Sequence, residues 1–296
     1  MGSHRAGRRV RVGTVAWSLL AAIAWSGSAV APIARADDQI GSSALNVHGA
    51  DFVPLTKEEL RIVALKEEAA RREAASLKGA GGGGVAPATC PLTVVNGGTP
   101  ATACPPYWGY LSTTPRQQQK SYYCGPTAVQ VVSNYVWGVV DKYTQQYIST
   151  TWTNTDNDGQ TYVWRVRYGL NAASAGHLPA NFVYAEYQPP SPSDWHNKLR
   201  TDVGTYAMPQ VVGVAPHDVG ATRWLYSWPT PHTTGHYIVL TGWNGVWDGT
   251  ESPTVNYDDG SGGYGGSTGA FSDPATTIWY TITKSNPYHA ADWIIW

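Results

Sequence analysis

Gln117-Gln118-Gln119-Lys120-Ser121-Tyr122-Tyr123-Cys124-Gly125-Pro126 is the stretch on which the fold of this 296-residue chain turns. Beyond it, Ala128, Val131, Val132 and Tyr135 fall at i, i+3, i+4 and i+7, the spacing of one helical face. Pro126 suits a first helical turn, where its missing N–H costs nothing. The pattern predicts a helix with Cys124 at its N-terminus, where the positive end of the macrodipole stabilises a thiolate, the nucleophilic form of cysteine. The plain alternative is a buried, inert thiol, since free cysteine is among the most buried residue types.

A nucleophilic thiol needs a base. His236 opens the apolar run His236-Tyr237-Ile238-Val239-Leu240-Thr241-Gly242, which reads as a buried strand bounded by glycines. The other histidines lack so distinctive a frame. His232 lies four residues before His236, but Pro231 and Gly235 exclude the helix that a paired-histidine zinc motif needs, so no metal or other cofactor is expected. Thr254-Val255-Asn256-Tyr257-Asp258-Asp259 reads as a second strand ending in two carboxylates, either of which can orient an imidazole or simply end the strand in a solvated turn. Gly265-Gly266-Ser267-Thr268-Gly269 spells a serine-hydrolase elbow, but it sits inside a glycine-rich loop rather than between a strand and a helix. The aromatic stretch Trp224, Tyr226 and Trp228 can wall a substrate groove or cover the core.

Composition narrows the classes. Charged residues make up 14% of the chain, against about 25% in an average soluble protein. The net charge of -1 gives no electrostatic reason to expect nucleic acid or an anionic membrane as partner. Charge is concentrated early: residues 1–85 carry 11 of the 20 basic and 8 of the 21 acidic side chains, while 12 of the 14 Trp come later. Three cysteines leave at least one thiol unpaired within the chain.

Arg5, Arg8, Arg9 and Arg11, then an apolar run to about Ala24 and Ala34-Arg35-Ala36, form the pattern of a secretory signal over 1–36. The mature protein is therefore expected to be secreted, extracellular or attached to the cell wall, without a membrane partner once the signal is cleaved. Residues 37–85 read as a helical spacer or a removable pro-segment. Thr56 and Glu59 make a capping box, Glu67 with Arg71 and Glu68 with Arg72 make i,i+4 pairs, and Leu60, Val63, Ala64 and Ala70 form a thin apolar stripe. The glycines of 79–84 supply a flexible linker. In an oxidising compartment Cys90 and Cys104 can staple a loop over 86–105, worth roughly 3 kcal/mol for a loop of about 15 residues. That pairing leaves Cys124 free.

Gln118-x-x-Ser121-Tyr122-Tyr123-Cys124-Gly125-Pro126 and Gly235-His236-Tyr237-Ile238-Val239-Leu240-Thr241-Gly242 resemble the papain-like peptidases related to the bacteriocin-processing, double-glycine leader peptidases. The resemblance runs over about 106–283, with the domain taken as 106–296, and Leu199 to Val214 is similar to the family's helix-then-strand. It implies an α+β papain-like fold, in which a helix carrying the nucleophile packs on an antiparallel sheet carrying His and Asp. It further implies a secreted cysteine peptidase with Cys124 as nucleophile, His236 as base and Gln118 as oxyanion-hole amide. Asp259 is the preferred acid, because it keeps the period-2 face of Val255 and Tyr257, with Asp258 as the alternative. The implied partner is a peptide or protein substrate, and self-trimming within Gly79–Gly84 is a further expectation. Acyl transfer to an amine and a non-catalytic aromatic surface module are the competing functions.

Overall fold

The computed structural model describes residues 52–79, 92–93, 101–104, 108–232, 234–245, 247, 252–284 and 293–296. The expected signal segment, the glycines of 80–84 and Cys90 lie outside these residues, and with Cys90 the expected staple to Cys104. The described residues form an α+β arrangement of helices on an antiparallel sheet.

The central strand is β6 (His236–Asn244), whose first eight residues are all buried, as a continuous apolar run demands. Here β1 is Leu92–Thr93, β2 Ala101–Cys104, β3 Trp108–Leu111, β4 Glu186–Tyr187 and β5 Gln210–Val214; β7 is Thr254–Gly260, β8 Thr268–Pro274 and β9 Ile294–Ile295. Along one path the strands run β1-β2-β3-β6-β5-β9-β4, while β7 pairs with β6 and carries β8 on its other side. One edge of β6 holds β5 through Gln210↔Leu240 to Val214↔His236 and then β3 through Tyr110↔Gly242 to Trp108↔Asn244. The other edge holds β7. The segment expected to be a loop over 86–105 thus contributes two short strands to the sheet.

Among the described residues five helices exceed two turns: α1 (Lys57–Gly79), α2 (Cys124–Trp137), α3 (Val163–Ala173), α4 (Pro192–Arg200) and α5 (Ala275–Thr283). Ala128, Val131, Val132 and Tyr135 are buried, as their spacing requires, and Tyr135 Oη donates to the Ala207 carbonyl at 3.0 Å. Trp195, Trp228, Trp243 and Trp296 are among the largest fully buried side chains, so tryptophan fills space that phenylalanine fills elsewhere.

Helix α1 departs from expectation. Its capping box forms, with Thr56 N–H on Glu59 Oε2 at 2.7 Å and Glu59 N–H on Thr56 Oγ1 at 3.2 Å. The apolar stripe docks only in part: Ala70 is buried in the core, while Leu60 is 42% exposed. Charge docks beside it. Lys66 is fully buried, 3.1 Å from Asp202 Oδ1, and its ammonium lies 3.8 Å from the Phe182 ring centroid and 4.4 Å from that of Trp296. Glu67 turns away from its expected partner Arg71 and receives both its hydrogen bonds from Lys198, at 3.0 Å. Glu73 receives Arg200 at 2.7 Å and the Thr201 hydroxyl at 2.9 Å. Arg71 pairs with Glu68 at i,i+3 instead. These contacts make α1 part of the packed body, which a solvated spacer is not.

Burial pulls Lys66 down to about 8 and pushes Asp202 up to about 6, each held against that by the other's charge. Lys66→Ala therefore leaves a buried carboxylate without its cation. The expected cost is about 3–5 kcal/mol in urea unfolding, recovered in large part by the apolar pair Lys66→Met/Asp202→Leu. A single variant with an unmoved midpoint would contradict this docking.

Candidate active site

Strand pairing determines which carboxylate meets the histidine. Val239 stands opposite Asp258 in the β6–β7 ladder, and directly opposite residues share a face. Neighbours along a strand point to opposite faces, so Asp259 shares its face with Ile238 and His236. His236 Nε2 and Asp259 Oδ1 are 2.9 Å apart. Asp258 faces the other way; a small cavity beside α2 and β6 is lined by Asp258, Asp259 and Gly260 together with Thr127, Val131 and Tyr237. Burial pushes the Asp258 carboxyl up to about 6, partly offset by the Thr113 hydroxyl.

Asp259 is saturated with donors. Its Oδ1 also accepts the Ser261 N–H at 2.9 Å, and its Oδ2 accepts the Ser227 hydroxyl at 2.7 Å and the Trp228 indole N–H at 2.9 Å. Burial alone would raise its pKa, but His236's charge and hydrogen bond, with Ser261 and Ser227, hold it below the usual carboxylate range. The Cys124 thiol is a further group that favours the protonated His236 ring. Burial disfavours the charged ring; Asp259 and then Cys124 outweigh it and hold the pKa up at about 10.

Cys124 is the first residue of α2, and Tyr123 before it offers no side-chain cap, so no capping group competes for the first-turn N–H groups. Gln118 is buried, and its backbone N–H donates to the Gly260 carbonyl at 2.8 Å. Gly260 permits that approach: a Cβ there would lie 2.5 Å from the Arg116 carbonyl oxygen and 2.6 Å from Thr127 Cγ2. The buried Gln145 amide holds both sides of Gln118, donating to the Gln117 carbonyl at 2.9 Å and accepting the Gln119 N–H at 2.8 Å. Gln118 Nε2 donates to the Ser121 carbonyl at 3.1 Å.

The aromatic stretch divides. Tyr226 is 74% exposed, and Trp224, 44% exposed, stacks on His217 with centroids 4.6 Å apart. Trp228 is no groove wall: it is 1% exposed and spends its N–H on Asp259. Its indole is covered by the turn between β7 and β8, the stretch that spells a serine elbow; the segment joins two antiparallel strands and no helix follows it directly. A Cβ at Gly266 would lie 2.7 Å from Trp228 Nε1 and overlap Ser261 Oγ. Ser227 and Ser261 escaped the sequence reading altogether. Neither has a spacing relation to His236, and only the folded sheet brings them to Asp259.

Helix α1 makes its polar contacts with Val183, Lys198, Arg200, Thr201 and Asp202. No protein-family model matches the chain, and no curated protein matches it.

Overpacking tests the cover over Trp228. Gly266→Ala is expected to lower stability by about 1–3 kcal/mol in chemical denaturation, because backbone and indole must separate. Wild-type stability would show that the turn is loose there.

Proposed function

We propose that the protein is a secreted cysteine peptidase of papain-like fold, with Cys124 as nucleophile, His236 as base and Asp259 as the acid that orients it. The observation that carries the proposal is an imidazole bonded to a buried, fourfold-satisfied carboxylate, with its protonated form favoured further by the thiol that opens a helix. The resemblance around Gln118–Pro126 and Gly235–Gly242 supports the same assignment.

In this mechanism His236 takes the thiol proton and the thiolate attacks a peptide carbonyl. The Cys124 N–H and the Gln118 side-chain amide stabilise the oxyanion; a single donor of this kind is often worth 10²–10³ in rate. For that role the Gln118 amide uses its second N–H or leaves Ser121. His236 then protonates the leaving amine, and water resolves the thioester. The Asp259 charge keeps the imidazolium stable through the cycle.

Cys124→Ala is expected to fold normally and lose peptide cleavage; retained cleavage would refute the assignment. His236 must hold a proton in the resting pair, so kcat/KM is expected to persist at alkaline pH and fall as pH rises through about 10. Asp259→Asn removes the charge that opposes burial. It is expected to move that limb down toward or below about 6.5 and to cost on the order of 10²–10⁴ in kcat. Asp258→Asn, facing away from the ring, is expected to leave the limb in place. Reversal of these two results, measured as pH–rate profiles, would exchange the carboxylates.

A further inference from the structure

Behind Asp259 stands a second buried carboxylate that the proposed reaction does not use. Asp273, on β8, is 8% exposed, and one of its oxygens, Oδ2, accepts both the Tyr226 N–H at 2.9 Å and the Tyr257 hydroxyl at 2.7 Å. The Tyr257 oxygen in turn accepts the Ser227 N–H at 3.4 Å and lies 3.2 Å from Ser227 Oγ. The Ser227 carbonyl accepts the Ser267 N–H at 2.9 Å, and the Trp228 N–H goes to the Leu225 carbonyl at 2.9 Å. The backbone of 226–228 is thus pinned at every residue, and its two inward side chains, Ser227 and Trp228, both end on Asp259 Oδ2.

The hydroxyl protons allow one arrangement while both carboxylates are ionised. An ionised carboxylate only accepts, so the Ser227 proton points to Asp259 and the Tyr257 proton to Asp273. Tyr257 and Asp273 therefore hold the Ser227 backbone, and Ser227 holds Asp259.

The geometry points to Ser227 as a positioning residue, set by Tyr257 and Asp273, that fixes the second oxygen of Asp259 and thereby the orientation of His236. This rests on the peptidase reading for its catalytic consequence, though not for its structural one. The titratable groups around Asp259 are His236 from β6, with Cys124 beyond it, Tyr257 on the same face of its own strand, and the adjacent Asp258 on the opposite face; Asp273 meets Tyr257 from β8.

Ser227→Ala and Tyr257→Phe in the full chain test it through two readings. The first is the pH profile of peptide cleavage. Ser227→Ala is expected to lower kcat roughly 10–100-fold with KM unchanged, the scale for a displaced supporting group. It is also expected to move the acid limb, where Asp259 protonates, to higher pH, because one donor that holds this carboxyl down is gone. The second is solvent exchange of the His236 Nε2 proton by NMR, expected to be faster than in wild type. Tyr257→Phe is expected to move both readings in the same direction by less, and it keeps the test open if Ser227→Ala does not fold. Lowered melting temperature with an unmoved limb and unchanged proton exchange would overturn the proposal. The exchange reading needs no substrate. Unaltered His236 exchange therefore contradicts the positioning role, whereas cleavage that survives Cys124→Ala contradicts the peptidase reading.

Discussion

The Asp259 carboxylate is the constraint around which this part of the molecule is built. An ionised carboxylate taken out of water costs several kcal/mol unless its lone pairs are met by donors. Here both oxygens are met twice, by His236 and Ser261 on one side and by Ser227 and Trp228 on the other. Meeting that demand requires the end of β7 beside the start of β6, a loop folded over the sheet at 225–228, and a turn at 261–267 tight enough to cover an indole. The raised pKa of His236 follows from the same charge.

Charge is scarce beyond residue 85, and the charges near the fold's other buried site are used in pairs. Lys198 and Arg200 of α4 find Glu67 and Glu73 of α1, while Asp202 finds Lys66. The charge that distinguishes the N-terminal third therefore includes groups that neutralise the body it packs on. Such pairs, once buried, are costly to break, which ties α1 to the sheet and helices as an integral element.

Much of the site was legible because it is periodic. The apolar spacing after Pro126 located α2 and its opening cysteine, and the run from His236 located the central strand. The period of two through Val255 and Tyr257 picked Asp259 over Asp258, since antiparallel pairing puts alternate residues on opposite faces. What was not legible depends on long-range contacts between non-periodic segments. Ser227 and Trp228 reach Asp259 across 32 and 31 positions of sequence, and nothing local marks them. Trp228 read equally as groove wall or core cover because exposure cannot be told from residue type alone. The docking face of α1 was missed for a related reason: a lysine at helical spacing reads as solvated until an aspartate and two aromatic rings are found around it.

The central claim is that Cys124 and His236 act as one thiolate–imidazolium pair, and alkylation tests it most directly. The native protein is treated with iodoacetamide well below the ordinary thiol pKa of about 8.5, and the label is located by peptide mapping, beside a folded His236→Ala variant. The account predicts one label per chain at Cys124 in the native protein and its loss in the variant. Equal labelling of both, or a Cys124 that reacts only after unfolding, would contradict it.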